Sequence, residues 1–261
     1  MLPLEGITNS TCSGSRHQHA HTILYNILSW RESGYLNNKL NHSSSAQNCQ
    51  CEQRRTVCLK DPKVTCKAAS SILVKTIHFM RSLPSFSQLP VGDQSSLLRH
   101  CWVHLFVLGL AQEKIVFEVT DVPNSSILRQ ILLGPGLTEK EAKKPTLGGV
   151  NKLRTCLQQL WNLNLSPKEY AYLKGALLFN PAVQGLSASL LIEGLQKEAQ
   201  KALREVIHLL HPEDSVHFSR ILLAASDIQA VSHSLVTELF FKSVIGNTNM
   251  MYFLTEMLFV Q

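Results

Sequence analysis

The chain has 261 residues, 44% of them hydrophobic and 17% charged, with a formal net charge of +6 and seven cysteines. That length can bury one sizeable core, and no apolar run approaches the roughly 18 residues of a membrane-spanning helix, so a helical membrane protein is excluded. The basic residues are scattered, with no long basic run and no interleaved aromatic platform, so the charge reads as mild surface basicity and no direct DNA binding is expected.

The first residues, MLPLEGITNST, lack a charged segment followed by a long apolar one, so a secretory signal is not expected. The cysteines are then expected to be reduced thiols, in a protein of the nucleus and also the cytoplasm. Residues 1–62 read as a flexible arm, because a stretch such as NNKLNHSSSAQNCQCEQRR buries too little surface to offset its ordering entropy. One apolar knot interrupts the arm: TILYNILSW, Thr22 to Trp30. Cys49, Cys51, Cys58 and Cys66 do not repeat the paired spacing of zinc modules, and His17, His19 and His21 read as part of a polar tail, so no metal centre is expected there.

From Val64 the apolar spacing turns helical, and residues 63–261 read as one domain. Ala68, Ile72, Lys75, Phe79 and Leu83 share a predicted face, with Leu73, Ile77 and Met80 beside it. A second helix is predicted from about Gly92 to Leu110, apolar on all sides and therefore central. KIVFEV, Lys114 to Val119, alternates enough to predict a short strand. NSSILRQILLG predicts a short capped helix ending at Gly134, followed by an exposed loop.

Helical spacing resumes at Leu153, Leu157, Leu160 and Trp161. Ser166, Pro167 and Glu169 form a helix start, with Ser166 as cap and Glu169 completing a capping box. A long helix follows with Leu191, Leu195, Ala199, Ala202, Val206 and Leu209 in one stripe; another is predicted from about Val216 to Phe241, and a short one from Asn249 to the end.

Catalytic signatures are missing. There is no G-x-S-x-G nucleophile elbow, no P-loop and no G-x-G-x-x-G, so neither an enzyme nor a bound cofactor is expected.

Phe86, Leu89, Asp93, Gln94, Leu97 and Leu98 spell F-x-x-L-x-x-x-D-Q-x-x-L-L, which resembles the signature of nuclear-receptor ligand-binding domains. EYAYLKGALLFNP (Glu169 to Pro181), ELFFKSVIGN (Glu238 to Asn247) and FLTEML (Phe253 to Leu258) resemble further blocks of that family in the right order, the last being its activation helix. The resemblance covers about residues 64 to 261 and is strongest toward orphan receptors that lack a DNA-binding domain. It implies an all-α, three-layer helical sandwich with a short β element. It also implies a corepressor in the nucleus, bound to other nuclear receptors and to corepressor proteins.

Receptor grooves of this family accept a short helix of pattern L-x-x-L-L, whose apolar residues at i, i+3 and i+4 fall on one face. Leu24, Ile27 and Leu28 give L-x-x-I-L in the arm, and Leu128, Ile131 and Leu132 repeat it. The resemblance implies that these segments occupy the activation grooves of partner receptors and displace coactivators. The first segment also admits a reading as the domain's own first helix, and the second as a piece of its own bundle. For the chain's own cofactor-peptide groove, alignment on Phe86 puts Arg81 where the family has a clamp lysine and Arg99 near the second basic position, with Glu256 as acidic clamp. An alternative is a sensor of a lipid-like small molecule that acts through the terminal helix.

Overall fold

A computed structural model describes residues 55–122 and 144–260. Leu24, Ile27 and Leu28, the arm as a whole, and Leu128, Ile131 and Leu132 lie outside the described residues. Within them the chain is mostly helical with one two-stranded sheet, as the sequence predicts. The helices, in order, are α1 (Pro62–Ser82), α2 (Pro84–Ser87), α3 (Val91–Gln112), α4 (Leu147–Leu163), α5 (Pro167–Leu178), α6 (Ser189–Leu210) and α7 (His217–Gln229). Then α8 (His233–Val236) passes through a π-helical turn (Thr237–Phe241) into α9 (Lys242–Ile245), and α10 (Met250–Phe259) closes the chain. Among the described residues no helix is long and apolar enough to cross a membrane.

The packing follows from which helices have apolar stripes and which are apolar all round. Cys101 through Ala111 of α3 are buried without interruption, so this helix needs neighbours on every side. It has them in α1, α4, α5, α7 and α10. In series, α1 packs on α3, α3 on α5, and α5 on α6, which gives the expected layered sandwich. The interior beside α3 is filled by rings: Phe106 meets Phe240 and Phe241 edge to face at 5.6 and 5.2 Å, and Phe117 meets Phe240 at 5.1 Å.

Local signals placed several boundaries well. Ser166 Oγ accepts the Glu169 N–H and a Glu169 carboxylate oxygen accepts the Ser166 N–H, so the capping box is complete. The start of α4 was missed: Thr146 caps it by accepting the Gly149 N–H, so the helix begins at Leu147, six residues before Leu153 and inside the stretch expected as exposed loop.

Other expectations need correction. The strand expected at Lys114 to Val119 is instead β2 (Val119–Asp121), paired antiparallel with β1 (Val57–Leu59), Leu59 opposite Val119 and Val57 opposite Asp121. Lys114 takes the left-handed conformation, φ 51°, with its N–H on Ala111, so the chain there is still leaving α3. Burial of Val57 and Leu59 also puts the start of the domain inside what reads as arm in residues 1–62.

The helix expected from Val216 to Phe241 is interrupted. Ala230 to Ser232 leave the helix, and Ser232, in extended conformation, caps α8 by accepting the Leu235 N–H. The apolar faces are rotated as well. On α1 the buried residues are Thr65, Cys66, Ala69, Ile72, Leu73, Thr76, Ile77 and Met80, while Lys75 is exposed and paired with Glu113. On α6 the fully buried residues are Ile192, Leu203 and Ile207, and Leu191 and Leu209 at the ends of the predicted stripe are exposed.

Candidate functional site: the terminal helix and its surroundings

The terminal helix starts at Asn249, whose side-chain oxygen accepts the Met251 N–H at 2.8 Å. Met250, Leu254 and Leu258 then recur every four residues and are buried. This one face explains the apolar pairs of FLTEML, and it lies against α1 and α3. Glu256 points the other way, is exposed, and accepts a hydrogen bond from Tyr252 at 3.4 Å.

The two basic positions lie on the helices that hold α10. Arg81 is exposed in the last turn of α1, where a cation is favoured by the helix's negative end. Arg99 is on the exposed side of α3. A cavity of about 250 Å³ beside it is lined by Arg99, Trp102, His233, Glu238, Met250 and Met251, so Arg99 borders the start of the terminal helix. Arg81, Arg99 and Glu256 thus lie on three mutually packed helices.

The signature residues prove to be a structural lock beneath this surface. Phe86, Leu89, Leu97 and Leu98 are all buried. Asp93 is 1% exposed, and its two carboxylate oxygens accept the N–H groups of Ser187 and Ala188 at 2.9 and 2.8 Å. Burial works to raise its pKa, but those backbone donors outweigh it and hold the carboxyl below the ordinary aspartate value. Gln94 donates to the carbonyls of Ser87 and Leu89, which ties α2 to the start of α3.

Two histidine groups escaped the sequence reading. His104, in the buried run of α3, has an Nδ1 with no partner, and its rings neighbour His100 and His233 at 5.9 and 6.1 Å. Burial first, then His233 and His100, push its pKa down to about 4. His211 and His217 converge on Glu169, which the sequence reading knew only as a cap. The signal available for that pair was the stretch HPEDSVH, two histidines around a turn.

A cavity of about 760 Å³ lies between α4 and the turn from α7 into α8. Polar and apolar groups mix there, Asn151, Thr155, Asp227 and Ser232 beside Leu153 and Leu235.

Residues 60–245 match the ligand-binding domain of nuclear hormone receptor. Nuclear receptor subfamily 0 group B member 2 of Rattus norvegicus is 43% identical over 256 residues, covering 96% of this chain and 96% of that protein. The protein of the same name from Homo sapiens is 44% identical over 219 residues, covering 82% of this chain and 85% of its own length. Nuclear receptor subfamily 0 group B member 1 of Callithrix jacchus is 38% identical over 227 residues, covering 80% of this chain but 48% of that protein. With the signature in its locked core, the terminal helix seated on α1 and α3, and likeness of this extent, the chain belongs to the nuclear hormone receptor ligand-binding-domain family.

Proposed function

We propose that this receptor-family protein acts as a transcriptional corepressor that binds other nuclear receptors. Leu24, Ile27 and Leu28 form one docking helix and Leu128, Ile131 and Leu132 a second, each laying three apolar side chains into the activation groove of the partner. Each buried side chain contributes roughly 1.5–3 kcal/mol before ordering costs, so one motif supports a contact of about micromolar strength. Coactivators that use the same groove are displaced.

The observation that carries this reading is the repeated L-x-x-I-L pattern in a chain of this family. The protein's own groove, with Arg81, Arg99 and Glu256 around the terminal helix, takes cofactor peptides and brings repressive factors to the complex. Arg in place of Lys keeps the charge but offers a planar fork, which changes the carbonyl geometry it suits. The site of action is the nucleus, with a cytoplasmic share, and no chemistry is catalysed.

The test is binding of the full chain to an agonist-loaded receptor domain. Leu24→Ala with Leu28→Ala, and separately Leu128→Ala with Leu132→Ala, are expected to weaken it, and a coactivator peptide is expected to compete. Unchanged binding in both double variants, without competition, overturns the reading.

A further inference from the structure

Glu169, His211 and His217 come from three different elements. Glu169 is in the first turn of α5, His211 caps the end of α6, and His217 opens α7. His217 Nε2 lies 3.1 Å and His211 Nε2 3.5 Å from the same oxygen, Glu169 Oε1. The three candidate ligand atoms all fall within 4.8 Å of one another. Two ligands held about 2.0–2.1 Å from a tetrahedral zinc ion stand about 3.3 Å apart, which is the spacing of both Glu–His pairs.

The carboxylate is fixed before any ion arrives. Its other oxygen, Oε2, accepts the Ser166 N–H at 2.7 Å, so the capping box points Oε1 at the histidines. A hydrogen bond from His217 uses one of them. The second histidine has its ring centroid only 4.1 Å from the first, an arrangement in which two imidazolium ions would repel each other. One divalent cation accepts all three groups at once. On the far side of His217, Asp214 Oδ2 stands 3.8 Å from Nδ1, beyond hydrogen-bond distance, and is itself paired with Arg220.

We propose that Glu169 Oε1, His211 Nε2 and His217 Nε2 bind a divalent transition-metal ion of the zinc class. Two imidazoles and one carboxylate suit zinc better than calcium or magnesium, which prefer all-oxygen shells. The side chains of Glu169 and His217 are 0% and 4% exposed and that of His211 32%, so the ion enters past His211 and keeps a water on that side. The bound ion staples α5, α6 and α7 together across the turn from His211 to Val216.

The experiment uses the full chain freed of metal with a chelator, then titrated with Zn²⁺ and, in parallel, with Co²⁺. The wild type is expected to bind one zinc ion more than His211→Ala or His217→Gln, or to hold it at least the roughly tenfold tighter that even an outer-shell partner is worth. Zinc is expected to raise the melting temperature of the wild type and not of His211→Ala. The half-exposed His211 is the decisive position, since its loss leaves the core intact. Cobalt at this site gives weak visible bands without thiolate charge transfer, which separates it from binding at the cysteines. Equal stoichiometry and affinity in wild type and His211→Ala, or a cobalt spectrum of thiolate type alone, overturns the proposal.

Discussion

The carboxylate of Asp93 accepts the backbone N–H of Ala188 at 2.8 Å, joining residues 95 positions apart. With the bond to Ser187 it anchors the start of α3 to the start of α6, so a buried charge in the family signature is a tie between layers.

Asp93→Asn keeps the shape but turns an amide N–H₂ toward one of two backbone donors. The expected loss is about 1–3 kcal/mol, read as a lower midpoint in denaturant titration. Because the folded pKa of Asp93 is lowered, its stabilisation is present above the unfolded value and is lost as pH falls through the folded one. The variant is therefore expected to lose that part of the acid dependence. A wild-type midpoint in Asp93→Asn contradicts the tie.

His104 gives a second, separate dependence on pH. Its folded pKa of about 4 lies below the ordinary 6.5, so the unfolded chain binds the proton more readily between those values. Stability is expected to fall as pH drops from about 6.5 toward 4, by up to about 3 kcal/mol from this group. His104→Leu removes a polar nitrogen that has no partner and is expected to flatten the profile over that range. Equilibrium unfolding at a series of pH values checks both curves.

Gly109 marks the close approach of α1 and α3. A β-carbon there would lie 2.5 Å from Ile72 Cγ2, and both residues are in the packed core. Gly109→Ala gains roughly 1 kcal/mol of helix propensity and still is expected to destabilise, since overpacking costs about 1–3 kcal/mol and Ile72 has nowhere to go. Ile72→Ala removes the clashing Cγ2, so Gly109→Ala combined with Ile72→Ala is expected to cost less than the two single losses added, a coupling that a double-mutant cycle measures.

Glu256 is exposed, so its charge can be reversed without touching the core. On the proposed reading of the groove, Glu256→Lys lowers affinity for a leucine-rich cofactor peptide by about tenfold, because the helix N-terminus of the peptide then meets a cation. The melting temperature is expected to stay at the wild-type value. Fluorescence polarisation with a labelled peptide measures the affinity, and an unchanged value removes Glu256 from the clamp.

Much of the fold was legible because its determinants are local. The capping box of Ser166 and Glu169, Pro167 opening α5, and the all-round apolar run of α3 each bias a few neighbouring residues, and the structure follows them. The basic positions Arg81 and Arg99 were expected from alignment on Phe86 and the acidic position Glu256 from FLTEML, and their roles belong to the proposed reading.

What only the tertiary structure decided depends on partners far away in the chain. The buried side of α1 is set by where α3 lies, which turned Lys75 out toward Glu113 and brought Thr65 and Thr76 in. The interruption before α8 rests on a serine cap that serves the packing of Phe240 and Phe241 around Phe106. Glu169 meets His217 across 48 residues because α6 runs out and α7 returns, and periodicity within either helix is blind to that meeting. Spacing along a chain encodes which way a helix can face; the direction it does face is settled by the neighbour that excludes water from one side of it.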